Sequence, residues 1–185
     1  MTLFISLLRG INVGGRNKLP MASLRDLLSG MGYADVQTYI QSGNCLFRSA
    51  EDDPDVISQN IARAIEESFG FRPHILTLTQ ARLDAVIAAN PYGEAAEADP
   101  KTVHVYFMSA APTAPDITAL DTIKTSKERF ELNGTAFYLY APDGIGRSKL
   151  AARAEAKLGV PATARNYRTV LMLRDLSQQS SQSPT

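Results

Sequence analysis

The sequence contains little cysteine, no tryptophan and no excess of either charge. Among its 185 residues there is one cysteine, Cys45, and there is no tryptophan. A single cysteine excludes a disulfide framework and is typical of a reducing compartment. Nineteen Lys and Arg residues balance nineteen Asp and Glu residues, so the formal net charge is zero. That balance excludes a general polycation, but it leaves room for a local basic surface.

Long apolar runs are also missing. The apolar start at Leu3–Leu8 is interrupted by Ser6 and stopped by Arg9. It lacks the basic leader and the cleavage site of a signal peptide. No run approaches the roughly 18 apolar residues that a membrane span requires. The sequence therefore predicts a cytoplasmic protein without a membrane partner.

The balanced total hides an uneven distribution of charge along the chain. Residues 1–25 contain four bases and no acid, and residues 145–174 contain seven bases against one acid, Glu155. Acids are concentrated elsewhere, at residues 51–55 and 94–99. This segregation predicts a sided electrostatic field, which favours anionic partners. Two solvated faces that differ by accident remain the alternative.

Apolar periodicity in the first half predicts the order β-α-β-β-α-β, followed by a connecting helix. Ser42-Gly43 is a hairpin signal between two predicted strands. Asp53-Pro54 is an N-cap followed by proline, which predicts the start of the second helix. This element order is the ferredoxin-like, split βαβ pattern.

The second half repeats that order, from a strand at Thr102–Ser109 through a hairpin around Asn133-Gly134 to a helix at Ser148–Leu158. Its last strand is missing, because residues 164–174 are interpreted as a helix. We therefore predict an α+β fold of two tandem ferredoxin-like (βαββαβ-type) subdomains, the second incomplete and ending in a helix. The predicted boundaries are 1–79 for the first subdomain, 80–101 for a connecting helix and loop, 102–176 for the second subdomain and 177–185 for a disordered polar tail.

Motifs of common catalytic and metal sites are absent. The chain has no G-x-S-x-G, no H-E-x-x-H and no G-x-x-x-x-G-K-[ST]. His74 and His104 lie in strand runs without a second ligand at metal spacing, and Cys45 is expected in the core. His104 shares the more polar side of its strand with Thr102 and Tyr106, so a functional role for it stays open. The sequence predicts no metal site and indicates no particular cofactor.

The strongest functional signal is the segment Gly144–Lys149, between a predicted strand and a predicted helix. Ser148 can cap the helix, whose first amide groups lack intrahelical partners. The two glycines allow close approach of the backbone, and Arg147 and Lys149 add positive charge to the helix dipole. These features predict an anion site. An ordinary glycine turn before a solvated helix is the alternative.

Two further segments have similar chemistry. Residues 9–18 form a glycine-rich loop without acids, and loops of this length are usually functional or mobile. Residues 163–168 combine a predicted helix start with two arginines and a tyrosine, although a cap and a core tyrosine explain them as well. From the three segments together we predict the ligand-binding residues Arg9, Asn12, Arg16, Lys18, Arg147, Ser148, Lys149, Arg165 and Arg168.

Four segments carry a shared pattern: residues 7–15 (LLRGINVGG), 39–44 (YIQSGN), 146–150 (GRSKL) and 162–170 (ATARNYRTV). The first, followed by Asn17-Lys18 and Met21, resembles the opening signature of the bacterial domain of unknown function 1697 family, and the others resemble its later motifs. Tyr167 stands where that family more often has Trp. The resemblance implies two ferredoxin-like subdomains. It implies no activity, because none is established for the family.

Three functions are compatible with these observations. The one we predict is binding of a phosphorylated or other anionic ligand, a nucleotide or a nucleic acid, through the Gly/Arg/Lys-rich loops. Ferredoxin-like sheets can bind RNA through aromatic side chains on an open face. This chain lacks the usual aromatic cluster, although four tyrosines lie on predicted strands: Tyr39, Tyr106, Tyr138 and Tyr140.

The other two functions are an enzyme and an interaction protein. An enzyme acting on an anionic metabolite would hold it with arginines near Asn12, Ser148 or Tyr167, but no acid–base pair is visible in the sequence. In a structural or interaction protein without a ligand, the same motifs would hold the subdomains together, and Ser42-Gly43-Asn44 suits that role as turn chemistry. Nothing in the sequence indicates the oligomeric state.

Overall fold

A computed structural model describes residues 1–182, which form a mixed α+β fold. Within these residues there are two four-stranded antiparallel sheets and seven helices. The chain divides into two compact units: the first contains Met1–Asp84 and the segment that begins at Met172, and the second contains Ala85–Leu171. No helix among residues 1–182 is both long enough and apolar enough to cross a membrane.

The first unit contains the predicted β-α-β-β-α-β elements. They are β1 (Thr2–Arg9), α1 (Met21–Gly30), β2 (Ala34–Tyr39), β3 (Asn44–Ser49), α2 (Pro54–Phe69) and β4 (His74–Thr79), followed by α3 (Gln80–Ala88). The sheet order is β2-β3-β1-β4, and all neighbouring strands are antiparallel. Strand β1 lies between β3 and β4, and its six central residues are all buried.

The core of the first unit lies between its sheet and helices α1 and α2. Phe4 and Leu8 of β1 pack there with Leu24 of α1 and Ile61 of α2. Helix α2 begins where the sequence predicts, because the Asp53 carboxylate accepts hydrogen bonds from the amides of Asp55 and Val56.

The second unit has its own sheet, with the order β6-β7-β5-β8 and antiparallel neighbours throughout. Its core contains Tyr106, Phe137, Leu150 and Leu158, which pack between this sheet and the helices. The elements are α4 (Gly93–Ala98), β5 (Val103–Met108), α5 (Ile117–Ile123), β6 (Arg129–Asn133), β7 (Ala136–Tyr140), α6 (Lys149–Leu158) and β8 (Ala162–Asn166). Helix α7 (Tyr167–Gln182) begins in this unit and belongs to the first unit from Met172 onward.

Strand β8 corrects the prediction that the second unit lacks its last strand. The sequence at Ala162–Asn166 is rich in alanine and lacks large branched side chains, so it was expected to begin a helix. In the structure it pairs with β5 from Met108 opposite Ala162 to His104 opposite Asn166. Pairing with a distant strand therefore overrides the weak local preference, and helix α7 begins only at Tyr167.

The predicted disordered tail is also corrected, for residues 177–182. These residues belong to helix α7, and Ser177 is buried. Within the first unit, Arg48 Nη2 donates to the Ser180 carbonyl at 2.7 Å, and Ser181 Oγ donates to Gln80 Oε1 at 3.0 Å. The helix is thus fixed by specific hydrogen bonds despite its polar sequence. The rest of the predicted tail, residues 183–185, lies outside the described residues.

Candidate functional site

The second unit contains a concavity of about 650 Å³ at the start of helix α6. We call it the α6 concavity. It includes two residues of the predicted anion site, Arg147 and Ser148, and both glycines that precede them. Its lining residues are Thr125, Lys127, Glu128, Ala141, Pro142, Asp143, Gly144, Gly146, Arg147 and Ser148.

The β6–β7 hairpin brings the two lining segments together. Arg129 is the first residue of β6 and lies opposite Tyr140, the last residue of β7. The residues just before β6 therefore lie beside those just after β7. Because the hairpin turns at Asn133-Gly134, as the sequence predicts, its register places residues 125–128 next to residues 141–148.

The start of helix α6 has the cap that the sequence predicts. Ser148 Oγ accepts a hydrogen bond from the Ala151 amide at 2.9 Å. The preceding turn is closed by the Gly144 amide, which donates to the Ala141 carbonyl at 2.9 Å, and Gly144 has a φ of 81°. The amides of Lys149 and Leu150, the first two of the helix, have no intrahelical acceptor. This end of the helix therefore attracts negative charge.

Four charged side chains line the concavity, two of each sign. Lys127 Nζ lies 3.1 Å from Asp143 Oδ2, but these side chains are 65% and 72% exposed, so their ion pair is weak. Arg147 is exposed and has no ion pair within residues 1–182. The positive charge most available to a ligand is therefore that of Arg147.

Glu128 differs from the other charged lining residues because it is buried, with an exposure of 6%. Its Oε2 accepts a hydrogen bond from the Thr125 amide at 2.8 Å, and its own amide donates to the Thr125 carbonyl at 3.2 Å. These two bonds close a turn before β6. The carboxylate is thus held in place on the wall of the concavity.

The predicted glycine-rich loop belongs to the first unit, where its asparagines fold it upon itself. Asn12 Nδ2 donates to the carbonyls of Leu19 and Gln41, each at 2.9 Å, and Asn12 Oδ1 accepts from the Leu19 amide at 2.8 Å. Asn17 Nδ2 donates to the Gly10 carbonyl at 2.8 Å. Since its donors and acceptor are used in this way, Asn12 positions the loop.

The basic residues of this loop are all exposed. Arg9, Arg16 and Lys18 extend from it, and Arg16 and Lys18 have no ion pair within residues 1–182. The loop ends in a tight turn, in which the Arg16 amide donates to the Val13 carbonyl at 3.0 Å. These side chains are accessible to an anion.

The Ser42-Gly43 turn supports the base of the same loop. Gly43 has a φ of 78°, and a Cβ atom there would lie 2.6 Å from Ile11 Cδ1 and 2.8 Å from Leu8 Cβ. Its carbonyl accepts a hydrogen bond from the Leu8 amide at 2.8 Å. The close approach of β1 to this turn therefore requires glycine.

The third predicted segment does not contribute to the α6 concavity. Arg165 lies on β8 and is buried, with Nη1 donating to the Ala164 carbonyl at 2.9 Å, and Arg168 is exposed at the start of α7. Tyr167 is also buried, and its hydroxyl donates to the Ile87 carbonyl. Lys149 lies on a separate concavity of about 360 Å³, with Arg153 and Lys157.

Two tyrosines and the histidine on the strands of this unit are buried. Tyr106 is 6% exposed and Tyr138 is 1% exposed, and their hydroxyls donate to carbonyls of Ala151 and Val86. Burial raises the pKa of each tyrosine to about 12. His104 is buried as well, and burial lowers its pKa. Among residues 1–182, no three His, Cys, Asp or Glu side chains are grouped as metal ligands.

Sequence reasoning missed Lys127, Glu128 and Asp143. A signal for the first two was available, because Thr125-Ser126-Lys127-Glu128 has the [ST]-x-x-[DE] spacing in which a carboxylate binds a backbone amide. Extending the predicted hairpin by one residue beyond β6 and β7 would have placed that turn beside the glycine segment.

The comparisons with known proteins identify relatives without naming a ligand. The profile of the family described as "Protein of unknown function (DUF1697)" matches residues 1–138. The motif-like segments at residues 146–150 and 162–170 lie beyond that match, so their part of the resemblance stays a prediction. Among solved structures, "conserved bacterial protein SP0830 from Streptococcus pneumoniae" is similar, with a TM-score of 0.65 and 21% identity over 96% of this chain and 99% of that chain. This likeness concerns the fold alone. No curated protein matches the chain.

Proposed function

The chain belongs to the DUF1697 family, and from that premise we propose that its second unit binds a small phosphorylated or otherwise anionic molecule in the α6 concavity. One observation carries the proposal: Arg147, Ser148, Gly144 and Gly146 all line one concavity at a helix N-terminus. The positive charges of Arg147 and Lys149 lie at the positive end of the helix dipole, which is unfavourable. A bound anion would offset that repulsion. The cytoplasmic location predicted from the sequence is part of this proposal.

A small ligand fits these residues better than a nucleic acid does. Single-stranded nucleic acids are usually held by aromatic rings on which bases stack. The rings of Tyr106 and Tyr138 are buried, so they cannot serve as such a platform. The concavity has about 650 Å³, within the range typical of small-molecule sites.

Enzymatic turnover is the second candidate, and Glu128 favours it. A carboxylate held on the wall of the concavity that Arg147 also lines can act as a general base for an anionic substrate. Ser148 is less suitable as a nucleophile, because its hydroxyl caps helix α6. Binding without turnover is the simpler function. If no small anion binds, the alternative is an interaction protein without a ligand.

The sheet topology supports the further inference that the two halves are ferredoxin-like subdomains related by duplication. In each half the sheet order is second, third, first and fourth strand of that half, and all neighbours are antiparallel. Each half also has a helix between its first two strands and another between its last two. The predicted subdomain boundaries at residues 1–79 and 102–176 belong to this inference.

Thermal unfolding with a panel of nucleotides, phosphorylated metabolites and short oligonucleotides, at low and high salt, tests the binding proposal. A ligand at about 100 times its dissociation constant should add roughly 2.7 kcal/mol to the free energy of unfolding. Arg147→Ala should abolish that gain. Arg153→Ala is the matched control, because Arg153 is exposed on the same helix but lines the other concavity.

The outcomes separate the candidates. A gain from one small molecule that Arg147→Ala removes supports the α6 site and directs assays for turnover to that molecule. A gain only from oligonucleotides, lost at high salt, would instead favour nucleic-acid binding. If no compound shifts the midpoint, the anion proposal is wrong and the interaction-protein alternative gains.

A further inference from the structure

Glu128 gives the α6 concavity a second chemical preference. We propose that its ligand carries a hydrogen-bond donor, a hydroxyl or an ammonium group, in addition to its anionic group. The inference rests on the proposed function, because Glu128 lines the same concavity as Arg147. In this arrangement Arg147 and the start of helix α6 hold the anionic end, and the Glu128 carboxylate holds the donor.

The hydrogen bonding of Glu128 is the first argument. The residue is 6% exposed, and among residues 1–182 its carboxylate accepts a single hydrogen bond, from the Thr125 amide to Oε2. The other oxygen, Oε1, accepts no hydrogen bond within residues 1–182 and is not fully buried, and Glu128 is a lining residue of the α6 concavity. A carboxylate oxygen in that position accepts hydrogen bonds from donors and repels anions.

The balance of charge in the lining is the second argument. Lys127 and Asp143 lie 3.1 Å apart and carry opposite charges that offset each other. The other two charged lining residues are Arg147 and Glu128, one positive and one negative, and neither has an ion pair within residues 1–182. A purely anionic ligand would meet the Arg147 charge but would be repelled by Glu128. A ligand with both an anionic group and a donor satisfies both side chains.

The size of the concavity is the third argument. Its volume of about 650 Å³ is within the range of sites that enclose molecules much larger than one phosphate group. The glycine segment and the helix start account for one part of the lining, and the Thr125–Glu128 turn accounts for another. The concavity therefore has space for a carbon skeleton that places a donor near the Thr125–Glu128 turn.

Calorimetric titration with three phosphate esters tests the proposal. Ethyl phosphate has no hydroxyl or ammonium donor on its carbon chain, glycerol 3-phosphate has two hydroxyls, and phosphoethanolamine has an ammonium group. We expect one or both donor-bearing esters to bind about tenfold or more tightly than ethyl phosphate, because hydrogen bonds to a charged group are strong. The tighter of the two identifies the donor as hydroxyl or ammonium.

Glu128→Gln should remove that advantage while the fold is kept. The glutamine carbonyl oxygen can still accept from the Thr125 amide, so the turn before β6 remains, and an unchanged thermal midpoint would verify this. Its amide group replaces the accessible acceptor with a donor. Glu131→Gln is the matched control, since Glu131 is exposed on β6 and does not line the concavity.

The two proposals fail in different ways. If ethyl phosphate binds in an Arg147-dependent manner and both donor-bearing esters bind no more tightly, the donor inference is overturned and the anion site stands. The donor inference is also overturned if Glu128→Gln keeps the full advantage. If none of the three esters binds, the donor inference is overturned, and the thermal-unfolding panel alone decides whether the anion site stands.

Discussion

Helices α2 and α6, which each connect the last two strands of their unit, begin with opposite charges. Helix α2 follows a run of acids, and the Asp53 carboxylate itself accepts hydrogen bonds from two helix amides, at 2.8 and 3.3 Å. Helix α6 is capped by the neutral hydroxyl of Ser148, and the residues on either side of the cap are Arg147 and Lys149. At α2 the cap residue supplies the negative charge that a helix start attracts; at α6 the cap and its two neighbours do not.

Under the proposed function, similar topology serves stability in one unit and binding in the other. The carboxylate of Asp53 satisfies its helix internally, so an external anion would be repelled there. The start of α6 lies in a concavity with a free guanidinium group, that of Arg147. The glycines show the same contrast, because Gly43 is enclosed by β1 and its neighbouring loop while Gly146 has open space around its Cα.

The largest effect on stability is expected when alanine replaces the enclosed glycine, Gly43, rather than the open one, Gly146. Gly43→Ala should lower the free energy of unfolding by on the order of 3 kcal/mol, because the new Cβ would overlap Ile11 and Leu8 at a positive φ. Gly146→Ala should change stability by less than about 1 kcal/mol, since nothing lies within 4 Å of the added atom. Urea denaturation of both variants measures the difference, and equal losses would contradict it.

The contrast between the helix starts can be removed by giving α6 the cap of α2. Ser148→Asp should keep the helix, because aspartate is also a strong N-cap. Its carboxylate would occupy the site with negative charge, and we expect phosphate-ester affinity to fall at least about tenfold. Calorimetric titration beside a thermal midpoint separates the two effects.

The reciprocal variant, Asp53→Ser, is the control for that experiment. It weakens the negative charge at the start of α2 and should lower stability by less than about 1 kcal/mol, because serine still caps the helix. It should leave phosphate-ester affinity unchanged. Unchanged affinity in Ser148→Asp would show that the start of α6 takes no part in binding.

The smallest effect concerns one position in which the two sheets differ. Leu7 of β1 lies opposite the first residue of β3, and Phe107 of β5 lies opposite the first residue of β7, so these two positions are equivalent. Three residues earlier in each strand, Phe4 of β1 corresponds to His104 of β5. Burial lowers the pKa of His104. Below about pH 6.5 the unfolded chain therefore takes up a proton before the folded chain does, and stability falls until the pH passes the lower, folded pKa.

His104→Phe should reduce that loss of stability. The variant gives the second sheet the residue found in the first, and it removes the imidazole Nδ1 that has no hydrogen-bond partner within residues 1–182. We expect its free energy of unfolding to fall less than that of the natural chain between pH 7.5 and 5.5. Chemical denaturation at the two pH values checks this, and parallel losses would show that His104 does not contribute.

Local patterns predicted most of the fold, because most elements have their own signals. The Asp53-Pro54 cap and the Ser148 cap start helices as expected. Strand β8 could not be predicted in that way, since its alanines gain their strand conformation only by pairing with β5. Arg165 was predicted to lie at a helix start, whereas the structure places it on this strand, where it is buried.

The candidate site was predictable only in part for a related reason. Residues 144–148 form a continuous segment whose glycines and bases are visible in the sequence. Glu128 comes from a turn that precedes β6, and its position beside that segment depends on the hairpin register. The loop at residues 9–18 gave a strong signal of glycines and bases, but the hydrogen bonds of Asn12 depend on Leu19 and Gln41, which lie outside that segment.

The path of the chain has a consequence for synthesis on the ribosome. Helix α7 supplies the first unit with its last segment, from Met172, and there the Arg48 side chain binds the Ser180 carbonyl. The second unit is one continuous stretch, Ala85–Leu171, and all its residues emerge before that segment does. At usual elongation rates the first unit would wait for its final helix on the order of ten seconds after its own sheet strands have been made. The part of the protein that is translated first is thus the part whose native contacts are completed last.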